Sequence, residues 1–353
     1  MYLRLLLTIL LVSLMTLGIL PYNSADAFPQ IAPSIPHYDS QQIIAHTSEM
    51  PSLDRASRLM NNQRYEEALL LLNHAIDRNP TSLVAVYNHG VCHFELAKNS
   101  TQPEKTLKHL AAAEESFMRA QTLNPRIIVI YYKLGKIALV QKQYEKARKQ
   151  YQNALDVEPD NAVTHFNIAG VYDEEQRFNQ AIVHYKKAIE LDKDFIYAYN
   201  NLGLIYEAVK LPKEAESVYK KALERQESYN YARLNLGNLY AEQGKLDAAE
   251  KMYQQALKYE PENAWAHLYL GNIYFQNDEY EKAAASYRQS IERNPQYSTT
   301  YYLHAVSLSR LKRYDEALLS SLKYLNLEPH GRFSQQVLAL ILDLKLHQAG
   351  VQK

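Results

Sequence analysis

Cysteine is almost absent from this sequence of 353 residues, which contains Cys92 alone. A single thiol cannot form a disulfide within the chain, so packing must stabilise the fold. Only 10 glycines occur, while tyrosine reaches 29 residues, a composition that indicates one extended helical assembly. Neither sign of charge is in excess, since Lys and Arg together number 39 and so do Asp and Glu. This balance gives no indication of nucleic acid or an anionic membrane as a partner.

Charged side chains are also missing from residues 5–20, an apolar stretch that follows Arg4. Pro21 comes next, and a polar stretch then ends at Ala25-Asp26-Ala27, which has the form of a signal-peptide cleavage site. We expect a secretory signal at residues 1–27, cleaved after Ala27. Sixteen apolar residues would form a helix about 24 Å long, which is marginal against about 30 Å of hydrocarbon. Retention as a membrane tether through residues 5–20 is therefore the alternative.

The two fates of this segment predict two locations. Cleavage predicts an extracytoplasmic protein, periplasmic or secreted, whereas retention predicts a membrane-anchored one. Residues 28–50 contain Pro29, Pro33 and Pro36 among polar residues, and Pro51 follows. This composition favours extended, solvated backbone, so we interpret residues 28–50 as a linker.

Beyond the linker the chain repeats itself every 34 residues. A small residue after Leu or Ile recurs at this spacing in Leu134-Gly135, Ile168-Ala169, Leu202-Gly203, Leu236-Gly237 and Leu270-Gly271. An alanine recurs further along each unit, at Ala68, Ala113, Ala147, Ala181, Ala215, Ala249, Ala283 and Ala317. Apolar positions at three- and four-residue intervals, interrupted at mid-unit by polar residues, predict two amphipathic helices joined by a turn. Each unit is therefore predicted to be a helical hairpin.

The small residues predict close contact between the two helices of a hairpin. We expect Tyr172, Tyr206, Tyr240 and Tyr274 to fill the remaining space. A proline ends the second helix of six units, at Pro80, Pro125, Pro159, Pro261, Pro295 and Pro329. Lys193 and Glu227 stand at the equivalent places of two other units, so those boundaries are expected to be more continuous.

The pattern resembles the tetratricopeptide repeat, on the spacing of Tyr131, Leu134, Gly135, Ala138, Ala147, Tyr151, Ala154 and Pro159. The resemblance implies an all-α fold, a right-handed α-solenoid superhelix of tandem hairpins. Eight units are expected, at residues 49–82, 83–127, 128–161, 162–195, 196–229, 230–263, 264–297 and 298–331. Residues 332–353 are expected to form a capping helix and tail, with Phe333, Val337, Leu340, Ile341 and Leu344 on one face and polar residues on the other.

The second unit is eleven residues longer than the others, and the excess lies between Lys98 and Ala113. Its second helix should therefore be lengthened. Thr101 and Glu104 have the spacing of a capping box at the start of that helix.

In the resembling family the first helix of every unit lines the concave binding surface. We call the surface formed by places two, five, six, nine and twelve of the units the first-helix face. It carries asparagines at place six, in Asn88, Asn167, Asn201 and Asn235, and at place nine, in Asn238 and Asn272. A side-chain amide both donates and accepts, so such a ladder can pair with the backbone of an extended peptide. The alternative is that these amides are ordinary residues of the motif.

The same face carries carboxylates and aromatic rings. Asp173 and Glu207 stand at place twelve, and Tyr197, Tyr231 and Trp265 stand at place two. Acidic and aromatic groups together suit a peptide with Lys or Arg and an apolar anchor. A solvated helix face with motif tyrosines is the alternative interpretation.

Catalytic motifs are missing. His89, Cys92 and His93 have a spacing that can bind a metal, but the two histidines stand at packing places of the motif. The sequence has no glycine-rich phosphate loop, paired-cysteine zinc site or nucleophile elbow. We therefore expect no enzyme and neither cofactor nor metal.

The predicted function is a noncatalytic scaffold that binds polypeptide segments outside the cytoplasm, with proteins or peptides as partners. Two alternatives remain open at this point. One is a structural spacer or envelope-complex assembly factor that acts through its convex face or ends. The other is a noncatalytic subunit that recruits substrates for a separate enzyme.

Overall fold

The structure is a computed structural model that describes residues 51–349. Seventeen α-helices and no strand occur in this range, which confirms the all-α fold class. The predicted signal peptide and linker lie outside the described residues. Among the residues that are described, no helix has both the length and the apolar character needed to cross a membrane.

The helices alternate as first and second members of hairpins. In chain order they are α1 Pro51–Asn61, α2 Tyr65–Arg78, α3 Leu83–Asn99, α4 Pro103–Leu123, α5 Ile128–Val140, α6 Tyr144–Val157, α7 Ala162–Glu174, α8 Phe178–Leu191 and α9 Ile196–Ala208. They continue as α10 Pro212–Arg225, α11 Asn230–Glu242, α12 Leu246–Tyr259, α13 Ala264–Gln276, α14 Tyr280–Arg293, α15 Ser298–Arg310, α16 Tyr314–Leu327 and α17 Ser334–Gln348. The chain divides into two compact units, one ending at Ile205 and the other beginning at Tyr206.

Left-handed residues make the turns inside the regular hairpins. Six of them are not glycine and have φ between 57° and 61°, namely Gln63, Lys142, Gln176, Lys210, Asp278 and Lys312, and the seventh is Gly244 with φ 72°. After α5, the N–H of Gln143 donates to the carbonyl of Ala138 at 2.8 Å, across the left-handed Lys142. This bond satisfies a carbonyl at the end of α5 and reverses the chain into α6.

The insertion in the second unit lengthens a hairpin. Helices α3 and α4 have 17 and 21 residues, whereas α5 and α6 have 13 and 14. The predicted capping box is wrong, because Pro103 occupies the first turn of α4 and Gln102 is its N-cap, with no side-chain cap bond. Proline is preorganised for that position, so the helix begins there. The Ser100 hydroxyl instead accepts from the Gln102 N–H at 3.2 Å.

The two unit boundaries without proline are no more continuous than the others, so that prediction is wrong. Helix α8 ends with the N–H of Asp192 donating to the carbonyl of Ala188 at 2.9 Å. The end of α6 beside Pro159 shows the equivalent bond, at 3.0 Å. At the first of these boundaries the Asp192 carboxylate also accepts from the Asp194 N–H at 2.9 Å. Such an Asx turn ends a helix without proline.

A tyrosine at place 24 of the unit packs against the small residue at place eight. A Cβ atom on Gly135 would lie 2.5 Å from the Tyr151 ring, and one on Gly237 would lie 2.6 Å from the Tyr253 ring. Only glycine permits this approach. Tyr185, Tyr219, Tyr253 and Tyr287, all at place 24, are among the largest fully buried side chains of the described residues.

Of the tyrosines predicted to fill this space, Tyr206 and Tyr240 are buried, but the ring that meets the small residue of the first helix is the one at place 24. Tyr240 and Tyr274 lie against the preceding hairpin, where their hydroxyls donate at 3.0 Å to Glu216 and Glu250 respectively. They therefore link successive hairpins through a side-chain bond.

The last helix, α17, buries Val337, Ile341 and Leu344 against the hairpin before it. Its outer face was predicted to be polar, and this is wrong: Leu338, Leu342 and Leu346 are exposed there. Apolar residues therefore occupy two faces of this 15-residue helix, and only one of the two faces packs against the preceding hairpin.

Candidate functional site

The place-six asparagines lie half-buried on first helices. Asn88, Asn167 and Asn201 belong to the compact unit that ends at Ile205, and Asn235 belongs to the other. The Asn201 amide donates to the Tyr185 hydroxyl at 3.4 Å and accepts from the Asn200 amide at 3.3 Å. All four side chains keep some contact with solvent. Their role in peptide binding stays a prediction.

The place-nine asparagines are fixed inside their hairpins. Asn238 is 5% exposed and accepts a 2.6 Å hydrogen bond from the Tyr253 hydroxyl. Asn272 is half-buried and accepts one of 2.8 Å from Tyr287. These two oxygens therefore bind tyrosines that reach across from the second helix. The sequence signal for this pairing was the recurrence of tyrosine at place 24.

The two predicted carboxylates are half-buried, each in its own compact unit. Burial raises the pKa of Asp173 to about 6, and the neighbouring charge of Glu174 raises it further. Burial likewise raises the pKa of Glu207 to about 7, although a hydrogen bond from the Tyr219 hydroxyl acts in the opposite direction. A nearby cation favours the charged form of a carboxylate. The approach of a Lys or Arg side chain would therefore stabilise the ionised form of both carboxylates.

Each of the predicted aromatic residues packs against another aromatic ring. The ring of Tyr197 lies 6.2 Å from Phe195, and that of Tyr231 lies 5.7 Å from Tyr229. Trp265 lies 4.8 Å from Tyr297. All three predicted aromatic residues are half-buried, so each presents part of a ring to solvent. Trp265 also borders a shallow surface depression lined by Glu260, Pro261, Glu262, Asn263 and Ala264.

One half-buried cation on the first-helix face was left out of the predicted set. Lys133 occupies place six of the third unit, where four of the other units have asparagine, and its Nζ lies 5.7 Å from the centre of the Phe94 ring. Burial lowers its pKa to about 8. The departure from asparagine at place six was visible in the sequence, but its burial was not.

His89 of α3 is a packing residue in the structure. The Nδ1 atom of His89 lies 2.8 Å from the Ser116 hydroxyl of α4. Cys92 is fully buried, and burial raises the pKa of its thiol to about 12. Within residues 51–349, no group of three or more His, Cys, Asp or Glu side chains is placed to hold a metal ion.

The repeats match known family models. Models described as tetratricopeptide or TPR repeats match residues 139–174, 170–209, 194–259, 234–298 and 274–325. Together these matches run from residue 139 to residue 325, which is more than half of the sequence. The chain belongs to the tetratricopeptide repeat family. Proteins of this family are generally noncatalytic interaction scaffolds.

Solved structures of other tetratricopeptide repeat proteins have the same fold. The match to yeast Tom70 has a TM-score of 0.61 and 15% identity, and covers 81% of this chain and 59% of that chain. The match to Pseudomonas aeruginosa PilF has a TM-score of 0.53 and 22% identity, and covers 60% and 96%. The match to the Cut9–Hcn1 hetero-tetramer of the APC/C has a TM-score of 0.53 and 17% identity, and covers 82% and 55%.

These identities are low enough that the likeness concerns the fold alone. It confirms the predicted all-α solenoid of helical hairpins. No curated protein sequence matches the chain.

Proposed function

We propose that this tetratricopeptide repeat protein binds extended segments of partner polypeptides on its first-helix face, outside the cytoplasm. The observation that carries the proposal is the recurrence of half-buried amides at place six, in Asn88, Asn167, Asn201 and Asn235. An extended backbone presents a donor and an acceptor at every residue, and each side-chain amide can pair with both. Recognition of this kind depends little on the partner's sequence.

Charge and aromatic surface favour one class of segment. Asp173 and Glu207 carry raised pKa values because they are half-buried, so a partner's Lys or Arg would stabilise their ionised forms. The half-buried ring of Trp265 supplies an apolar contact beside Pro261. Exposed aromatic side chains frequently anchor protein interfaces. We infer that the preferred segment is basic and contains an apolar residue.

The extracytoplasmic location is supported by sequence. Arg4, the apolar residues 5–20 and the small residues Ala25 and Ala27 have the order of a secretory signal. N-terminal sequencing of protein from the native envelope tests this: a chain that begins at Phe28 supports cleavage. A chain that keeps Met1 and partitions with membranes supports the tether instead, and a chain that keeps Met1 in the cytosolic fraction contradicts both.

The binding face is tested by crosslinked pull-down from native envelope extract. Wild-type residues 28–353 are compared with an Asn167→Ala, Asn201→Ala, Asn235→Ala variant whose helicity has been verified. We expect the variant to lose its partners. Recovery of the same partners by this variant would contradict the proposal.

A matched control uses three exposed side chains on second helices, in a Leu70→Ala, Val183→Ala, Leu319→Ala variant. These exposed apolar side chains are also the observation that favours the second candidate function, a spacer or assembly factor that binds through the opposite face. Loss of partners in this variant alone would support that function. Copurification of an enzymatic activity with the wild-type protein would identify a substrate-recruiting subunit.

A further inference from the structure

Two histidine pairs connect the first and second helices of their hairpins. The Nδ1 atom of His93 on α3 lies 2.9 Å from the Nδ1 atom of His109 on α4. In the unit two further along, the Nδ1 atom of His165 on α7 lies 3.1 Å from that of His184 on α8. Both pairs belong to the compact unit that ends at Ile205, and all four rings are half-buried. Each of the four residues therefore keeps part of its surface exposed.

The geometry of each pair is close to that of two ligands on one metal ion. Zinc binds imidazole nitrogen at about 2.0–2.1 Å in a tetrahedral arrangement, which separates two ligand nitrogens by roughly 3.3 Å. The observed separations of 2.9 and 3.1 Å differ from this by a few tenths of an ångström. Such a change is within the reach of χ rotations in half-buried rings. We propose that His93 with His109, and His165 with His184, form two sites for a divalent transition-metal ion such as Zn²⁺.

The protonation chemistry of the pairs suits this role. Burial lowers the pKa of His93 to about 4, and it also lowers the pKa values of His165 and His184. These rings are therefore neutral at pH 7, as a metal ligand must be. In a neutral pair one Nδ1 carries a proton and the other accepts it. Metal binding requires that proton to move to Nε2 of the same ring through solvent, so no proton is released overall.

The remaining ligands would be water. The His89 ring lies 4.6 Å from the His93 ring, but its Nδ1 atom contacts the Ser116 hydroxyl instead. Beside the second pair, the Tyr172 ring lies 5.5 Å from the His184 ring and contributes no nitrogen or carboxylate. Each site therefore has two protein ligands, and its affinity should be well below that of a structural zinc site with four. Occupancy would fasten α3 to α4 and α7 to α8.

The test is titration of the full chain with Zn²⁺ at pH 7.5, by calorimetry and by the shift in Tm. We expect a His109→Gln variant to bind one equivalent fewer than the wild type, and a His184→Gln variant also one fewer. The double variant should bind two fewer and lose most of the Zn²⁺-dependent increase in Tm. Differences between variants are used so that any Zn²⁺ bound elsewhere on the chain cancels.

A matched control comes from His304, whose Nδ1 atom lies 3.0 Å from a serine hydroxyl, that of Ser320, in place of a second histidine. A His304→Gln variant should bind as many equivalents as the wild type. Circular dichroism without metal verifies that each variant is folded. The proposal is overturned if the double variant binds as many equivalents as the wild type, or if Zn²⁺ leaves the wild-type Tm unchanged.

Discussion

The hydroxyl of Tyr253 donates a 2.6 Å hydrogen bond to the side-chain oxygen of Asn238, and the two residues come from the two helices of one hairpin. The Tyr253 ring meanwhile lies against Gly237, the neighbour of Asn238 in the chain. One side chain therefore makes both a close apolar contact and a buried hydrogen bond within the hairpin. The same arrangement recurs with Tyr287, Asn272 and Gly271.

The Tyr253 hydrogen bond should contribute measurably to stability. We expect Tyr253→Phe to lower the free energy of unfolding by about 1 kcal/mol, because the ring remains while a buried hydrogen bond is lost. A double-mutant cycle with Asn238→Ala, measured by urea denaturation, should give a coupling energy of about 0.5–1.5 kcal/mol. Additive effects of the two substitutions would show that the bond contributes nothing.

Glycine is required at Gly237, at place eight of its unit, but not at Gly170, at place nine of another. A Gly237→Ala substitution puts a Cβ atom 2.6 Å from the Tyr253 ring, and we expect it to lower the free energy of unfolding by about 1–3 kcal/mol. The control is Gly170→Ala, where the nearest side-chain atom, the Tyr185 hydroxyl, is 3.9 Å away. Alanine has the higher helix propensity, so this control should be neutral or stabilising by up to about 1 kcal/mol. Equal losses of Tm in the two variants would refute the packing argument.

Two substitutions at left-handed turn residues should change the free energy of unfolding in opposite directions. Lys142 has φ 57° and Gly244 has φ 72°, at the same place of their units. A side chain with a Cβ atom is strained there, so Lys142→Gly should raise the free energy of unfolding by about 0.5–1 kcal/mol. Gly244→Ala should lower it by about 1 kcal/mol for the same reason. Thermal denaturation measures both, and shifts of the same sign would contradict the interpretation.

Glu207 should make stability depend on pH. Its folded-state pKa is raised from 4.5 to about 7, so between these values the folded chain holds a proton that the unfolded chain has released. The free energy of unfolding should therefore fall as the pH rises from about 4.5 to 7. A Glu207→Gln variant has no carboxylate to ionise, so its free energy of unfolding should not fall in this way. It should be about 1–3 kcal/mol higher than that of the wild type at pH 8, and no higher below pH 4.5.

The charge control for this experiment is Glu224→Gln, which removes an exposed carboxylate from α10. Substitution of an exposed side chain is expected to change stability by less than about 0.5 kcal/mol. Urea denaturation at pH 5, 6, 7 and 8 gives the profiles. Parallel profiles of the wild type and Glu207→Gln would mean that burial of Glu207 does not control its ionisation.

The helical pairing of the chain was predictable because each helix repeats its apolar residues with the period of its own turn. The small residues Gly135 and Gly237 likewise predicted close contact between helices. What they contact was not predictable: Tyr172 and Tyr240 were expected to fill the space, whereas the rings that lie against Gly135 and Gly237 are those of Tyr151 and Tyr253. All these tyrosines recur every 34 residues, so periodicity does not distinguish them.

In the candidate site, too, some features followed from the sequence and others only from the structure. The sequence determined which residues stand on first helices, since that follows from the repeat register of Asn167, Asn238 and Glu207. Only the tertiary structure decided that Asn238 binds a tyrosine, that Glu207 is buried enough to raise its pKa, and that His93 meets His109. Register within a helix is set by local backbone geometry. Contacts between polar atoms depend on how two helices cross, and in these hairpins a glycine without a side chain sets that distance.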